Sequence, residues 1–346
     1  MAASVRTGTV TRAGLVLSLG LSTIGSLACG SGSAQPPRLS DDDFWRLVTT
    51  LSEPPGTFRH SENLVSNEEL FPHIIRMLGA RGGVFVGVGP EQNFSYIVRV
   101  RPAMAFIIDI RQENRNLHLL YKALFELSDS RLEFVSKLFS RQITAEFDAA
   151  DSVHDLFSAV ESAAASSAKY DETAKLVRGH LLDHHRLPLT AEDLEWIDYA
   201  LKAFYLDGPG IHYSRSLPKD APGPSYRVLM TATDMRGVAR SYLASEDSFD
   251  FVKDLHARNL IVPIVGDFAG PTALKRVGAY VRERGSEVSA FYASNVEVYL
   301  SNRQMVAFCD NLIGLPTASD ASFIGSKSVR PLTLKLSTCL PAPAKR

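Results

Sequence analysis

Clustered positive charge is missing from this chain of 346 residues: no lysine- or arginine-rich run occurs, and 37 basic side chains face 38 acidic ones. Phosphate neutralisation needs such clusters, so no nucleic-acid partner is expected. Neither G-x-S-x-G nor H-E-x-x-H occurs, which argues against the familiar serine hydrolases and zinc proteases. Internal repeats are absent, as is a second domain set off by its own linker. The apolar stretch LVLSLGLSTIGSLA (15–28) falls short of the ~20 residues that a membrane span needs. Cysteine is scarce, with three in all. What is present is ordinary for a soluble globular protein: 45% hydrophobic and 22% charged residues, enough for a sizeable core.

Arg6 and Arg12 precede that apolar stretch, and Cys29 and the small-residue tract GSGSAQPP follow it. Positive start, short apolar centre and small-residue exit are the parts of a secretory signal, expected over residues 1–28 with a linker over 29–39. SLACG resembles a bacterial lipobox, which would make Cys29 the lipidated N-terminus, although Ser26 stands where an aliphatic residue is usual. Cleavage near Ala34 and an uncleaved anchor stay open. The expected location is exported, as a membrane-anchored lipoprotein or a periplasmic protein, with the lipid as the sole membrane contact; without a signal the chain would be cytoplasmic. Loss of residues 1–28 leaves 35 basic against 38 acidic groups, a net charge of −3. Cys309 and Cys339 then remain as either a disulfide or two buried thiols; a disulfide closing a loop of about 30 residues would stabilise by roughly 3 kcal/mol.

Residues 40–346 read as one α/β domain. Ser40 before DDDFWRLVTTL reads as a helix cap with acids in the first turn. EELFPHIIRML tolerates Pro72 in its first turn. GGVFVGVG and AMAFIIDI (103–110) are short apolar runs expected as buried strands. PEQNFSYIVRV and ENRNLHLLYKALFEL are expected as the helices after them, the second with Leu117, Leu120, Leu124 and Leu127 on one face. Near-continuous apolar strands imply a parallel sheet. Residues 130–206 read as a helical insertion, with capping-box spacing from Thr190 to Asp193. The α/β pattern is expected to resume with YRVLM (226–230), a helix near 246–258, the strand LIVPIVGDF (260–268), the helix PTALKRVGAYVRERG and the strand EVSAFYASN (287–295). The tail SFIGSKSVRPLTLKLSTCL is expected to add a late strand or hairpin.

GVGPEQNF carries the functional reading. A strand that ends in G-x-G and turns into a helix aims backbone N–H groups at one point, and small residues let a ligand approach. Asp109 lies 20 residues after Gly89, at the end of the next strand, where an acid can accept from ribose hydroxyls. A dinucleotide loop needs glycine where Gln92 stands, and Glu91 would meet a diphosphate. S-adenosylmethionine (SAM), with a cationic sulfonium and no phosphate, is favoured over NAD. VFVGVGPEQNFSYI, FIIDIRQENRNLHLLYKALFEL and NVEVYL resemble a family of largely uncharacterised bacterial proteins related to class I SAM-dependent methyltransferases, over roughly residues 40–310. The resemblance implies a Rossmann-like, mostly parallel sheet with helices on both faces. It also implies that Gly87, Gly89 and Glu91 line the methionine side of the pocket, and that Asp109 meets the ribose with Arg111 and Asn114 nearby. SENLVSNE would close over the cofactor through Asn63, Ser66, Asn67 and Glu68. Methyltransferases usually show acid-x-G-x-G-x-G here; Phe85 holds the acid's position and Glu91 the last glycine's.

Asp267, at a further strand end, faces the acceptor in such folds, or else caps the helix after Pro271. Asn295 and Glu297 follow the last core strand expected and face the crevice, or serve turn chemistry. His212 and Tyr213, in DGPGIHYSR, belong to a substrate lid or an ordinary loop. HLLDHH places His180 and His184 four apart, but without a third ligand at suitable spacing a solvated helix end and no metal are expected. Three functions stay in view: methyl transfer from SAM to an unknown acceptor, exported non-catalytic binding on the same fold, and, disfavoured at Gln92, nucleotide-dependent oxidoreduction.

Overall fold

Valine- and isoleucine-rich runs flanked by glycine and polar turns build a single buried sheet. The computed structural model describes residues 38–58, 62–79, 82–213 and 223–339; the expected signal, Cys29 and most of the expected linker lie outside the described residues. Ser40 caps α1 (Asp41–Thr50), its hydroxyl accepting from the Asp43 N–H at 3.1 Å, with three acids in the first turn. After a long loop, α2 (Phe71–Met77) starts with Pro72 in its first turn. A β-α-β-α unit follows: β1 (Val84–Gly87), α3 (Gln92–Val100), β2 (Met104–Asp109) and α4 (Gln112–Glu126). Every residue of both strands is buried, as a parallel sheet covered on two faces requires.

The next stretch is helical: α5 (Arg131–Leu138), α6 (Val153–Ser162), α7 (Ser167–Gly179), which runs on into a π-helical turn (His180–His184), and α8 (Ala191–Asp207). Thr190 and Asp193 form the reciprocal capping box at the start of α8. Then come α9 (Tyr226–Thr231), α10 (Glu246–Ala257), β3 (Ile261–Val265), α11 (Ala273–Glu283), β4 (Val288–Ser294), α12 (Asn302–Ile313), β5 (Thr317–Gly325), β6 (Val329–Pro331) and α13 (Leu332–Cys339). Strand order is β3-β2-β1-β4-β5-β6. The strands β1 to β5 are parallel, and β6 returns antiparallel on β5. The chain steps outward from β1 to β3 on one side and from β4 to β6 on the other. The order therefore reverses between β1 and β4, and ligands of open α/β sheets sit beyond the strand ends at such a point.

Three expectations are corrected. YRVLM is the helix α9 and not a strand, because Ser225 caps it by accepting from the Val228 N–H at 3.3 Å. EVSAFYASN is not the last parallel strand, since β5 follows it after α12. The tail does form a hairpin (Ser322–Pro331), but LTLKLSTC is the helix α13. Phe94, from the PEQNF stretch, is the hub of the core. Its ring meets Tyr121, Phe125, Tyr242 and His256 edge-on at 5.3–5.4 Å and so joins α3 to α4 and α10. No helix among the described residues is long and apolar enough to cross a membrane.

Cys309 of α12 and Cys339 of α13 are disulfide-bonded, with Cα atoms 5.2 Å apart and a sequence separation of 30. Closure of such a loop removes unfolded-state entropy. Reduction, or Cys309→Ser, is expected to lower unfolding free energy by roughly 3 kcal/mol. Denaturant unfolding of the same protein with and without reductant measures it; superimposable curves would contradict the assignment.

Candidate functional site

The crevice starts with a packing problem at Gly87. A Cβ there would lie 1.9 Å from Asn93 Oδ1 and 2.6 Å from the Phe85 ring. Glycine thus makes room for the Asn93 side chain, whose Nδ2 group donates to the carbonyls of Val88 (2.9 Å), Gly89 (3.1 Å) and Pro90 (2.7 Å). Those bonds fold the loop between β1 and α3 back on itself, with Gly89 at φ +79° and open space where its Cβ would be. His118 of α4 holds the loop from behind through Nε2 and the Gly89 carbonyl at 2.9 Å. Burial pushes its pKa down to about 4, so the ring is neutral at physiological pH and donates this bond.

Above the loop lies a cavity of about 290 Å³. Its walls are the segments that leave the carboxyl ends of four adjacent strands: Val88–Pro90 after β1, Ile108–Arg111 at β2, Gly266–Phe268 after β3 and Tyr292 to Val296 at β4. Phe58, Asn63, Ser66, Asn67 and Tyr213 also line it, and the Phe58 ring meets Tyr299 edge-on at 5.0 Å. Asn63 Oδ1 is buried with no hydrogen-bond partner among the described residues. Asp109 and Arg111 share one wall. The guanidinium donates from Nε to Oδ1 (3.0 Å) and from Nη2 to Oδ2 (2.9 Å), and the Arg111 N–H donates to Oδ1 at 3.0 Å. Those bonds use three of the roughly four acceptor sites of a carboxylate. Arg111 is the one cationic side chain in the lining among the described residues, against Asp109 and Asp267.

Several expected residues belong elsewhere. Gly87 and Glu91 do not line the cavity. Glu91 is fully buried behind the loop, where both carboxylate oxygens accept from the Ser66 N–H at 3.1 and 3.2 Å. Burial pushes its pKa up to about 8 despite that bond. Asn114 is buried away from the cavity with both amide atoms unpartnered among the described residues. Glu297 turns from the crevice to pair with Lys335 and Arg330. His212 forms an isolated bridge to Ser225 outside the lining, whereas Tyr213 reaches it. Glu68 sits just behind the wall and accepts from Ser294 Oγ; burial raises its pKa to about 6, against hydrogen bonds from Ser294 and Tyr292. Asp267 and Asn295 do line the cavity. Asp267 Oδ1 also accepts from the Ala269 N–H at 2.8 Å, but the cap of α11 is Glu53, whose Oε1 takes the N–H groups of Thr272 and Ala273 at 2.5 and 2.6 Å.

Sequence reasoning missed Tyr292, Ser294 and Gln304, all in the lining. Ser294 holds φ +51°, a conformation that costs a non-glycine residue roughly 1–3 kcal/mol and clusters at binding and active sites. No sequence signal marks it. Gln304 could have been found from the capping box Ser301–Gln304 that opens α12. HLLDHH is no solvated helix end: His185 is buried, and its Nε2 and that of His180 meet Glu126.

Residues 63–193 and 224–335 match the model of a family described as a domain of unknown function, DUF7790, and the chain belongs to that family. The match takes in all six strands and most of the crevice wall. No curated protein matches the chain.

The buried Glu91 dictates a pH dependence. Its folded pKa is raised above the unfolded value, so the unfolded chain ionises first as pH rises. The stability that Glu91 contributes is therefore full below about pH 4.5 and declines up to about pH 8, with a limiting slope of roughly 1.4 kcal/mol per pH unit; Glu68 adds the same sign up to about pH 6. Glu91→Gln keeps the shape and removes that titration. Thermal unfolding from pH 5 to 8 is expected to show a shallower decline for the variant. Parallel declines would place the Glu91 carboxyl in water.

Proposed function

We propose that this DUF7790 protein binds S-adenosylmethionine in the crevice over β1 and β4 and transfers its methyl group to an acceptor. The observation that carries the reading is the charge arrangement around the glycine loop. Gly89 after β1 and Asp109 at the end of β2 line the cavity beside the switch point, with Asp267 as a second carboxylate and no cation but Arg111 among the described lining residues. Two carboxylates against one paired guanidinium suit a cationic or neutral ligand better than a polyphosphate. A cavity near the lower end of the roughly 300–1,000 Å³ of small-molecule sites fits one nucleoside with a short chain, and not a dinucleotide. The resemblance of VGVGPEQNF and FIIDIRQEN to methyltransferase relatives points the same way.

On this reading the backbone at Gly89 approaches the ligand, and the remaining acceptor site of Asp109 takes a ribose hydroxyl with Arg111 fixing the carboxylate. SAM supplies an electrophilic methyl group when bound. The chain's own task is then to align the acceptor and exclude water, which needs few catalytic groups. Glu68, through the Ser294 hydroxyl, is the group best placed to accept a proton from an acceptor in the crevice. A second reading, exported binding without catalysis, is favoured by the Cys309–Cys339 disulfide, because disulfides persist in oxidising compartments and SAM is a cytosolic metabolite.

Calorimetric titration of the purified protein with SAM, S-adenosylhomocysteine and NAD separates these. Saturable binding of the first two and none of NAD is expected, with at least a tenfold loss in Asp109→Asn at unchanged circular dichroism. Asparagine is chosen because it keeps the shape of Asp109 and an acceptor oxygen for the Arg111 guanidinium. A folded protein that binds neither sulfur ligand would sink the methyltransferase reading and leave the exported binder.

A further inference from the structure

At the far end of α4 from the crevice, three imidazoles and a carboxylate converge. The π turn His180–His184 is closed by the His185 N–H bonding to the His180 carbonyl at 3.0 Å. In a regular α-helix, residue 185 would lie about 140° around the axis from residue 180. The wider turn, of a kind frequent at functional sites, gathers His180, His184 and His185 instead. Their ring centroids are 4.8 Å apart in all three pairs, and one ligand nitrogen from each lies within 4.8 Å of the others. His180 Nε2 and His185 Nε2 stand 2.6 and 2.5 Å from the same atom, Oε2 of Glu126.

The surroundings explain what belongs between these atoms. His185 Nδ1 bonds Asp41 Oδ1 at 2.8 Å. With Nδ1 held by Asp41, the ring turns its Nε2 toward the same Glu126 oxygen that faces His180 Nε2, so two ring nitrogens and a carboxylate oxygen point into one small volume. A carboxylate that fixes the ring through the other nitrogen is the recurrent outer-shell partner of a metal-bound histidine. Lys122 Nζ bonds Oε1 of Glu126 at 2.5 Å and so leaves Oε2 to the cluster. The cluster also lies at the C-terminal end of a helix, where the peptide dipoles favour a cation.

We propose that His180, His184, His185 and Glu126 bind a divalent first-row transition metal of the zinc type, with Asp41 orienting His185. Three imidazoles and one carboxylate make a four-coordinate set suited to such ions, and small ring rotations bring the nitrogens to the ~2.0–2.1 Å of a Zn–N bond. Since α4 has 15 residues, the site stands about 20 Å from the crevice. The metal is therefore structural: it ties α1 and α4 to the π turn, and the proposal does not depend on what the crevice binds.

The test uses the full chain, prepared without a histidine tag and stripped of metal with a chelator, and titrates it with cobalt(II). Visible ligand-field bands of four-coordinate cobalt at one equivalent per chain, bleached by zinc, are expected. His184 is exposed and makes no hydrogen bond among the described residues, so His184→Ala should fold normally by circular dichroism. Its cobalt affinity should fall by at least the roughly 10–100-fold that follows loss of an outer-shell partner. A folded wild-type protein without bands at excess cobalt would overturn the proposal, as would a His184→Ala variant that binds as tightly as the wild type.

Discussion

One side-chain amide sets the shape of the crevice on which the proposed function rests. Asn93, lodged where Gly87 has no Cβ, gathers the carbonyls of three consecutive residues and bends β1 sharply into α3. The bend leaves Gly89 bare toward the cavity and sends Glu91 inward. Glu91 in turn holds the Ser66 N–H and so seats the loop that forms the rim. Phe94, one residue beyond the amide, anchors the same turn in the core among Tyr121, Phe125 and Tyr242. Floor, rim and core are thus fixed by neighbours in a single short segment.

Apart from Asp267 in the lining, charge at the crevice is either paired or kept behind the walls. Asp109 and Arg111 neutralise each other, Glu91 is buried in the form that burial favours, and Glu68 reaches the cavity only through Ser294. A crevice built this way has little field of its own to attract a polyanion. What it offers a ligand is shape and a few hydrogen-bonding atoms, among them Asn63 Oδ1.

Much of the α/β frame was legible because burial on both faces writes strands as continuous apolar runs: VFVG, MAFIID and IVPIV each occur where expected. The glycine loop and Asp109 were legible for the same local reason. What could not be read depends on distance through space. Glu91 looks in sequence like an acid at a helix start, and only its burial against Ser66, 25 residues away, shows that it faces inward. Glu297 follows β4 like a crevice residue, but α13 supplies Lys335 to draw it off. YRVLM carries strand-like residues, yet Ser225 caps it as a helix. The histidine cluster needed a π turn and Glu126, 54 residues upstream of His180, neither of which spacing alone reveals.

The disulfide has a bearing on the crevice that goes beyond stability. Helix α12 offers Gln304 to the cavity near its first turn and Cys309 to the bond with α13 one and a half turns later. α13 itself lies against β5, the strand beside β4. The helix that contributes Gln304 is therefore clamped to the edge of the sheet by a covalent bond that only an oxidising compartment maintains. A molecule that folds before that bond closes would carry the same crevice with one side less firmly held. Thiol chemistry at the edge of the sheet would then govern how well ordered the site is, and the compartment where the chain matures would become part of its ligand affinity.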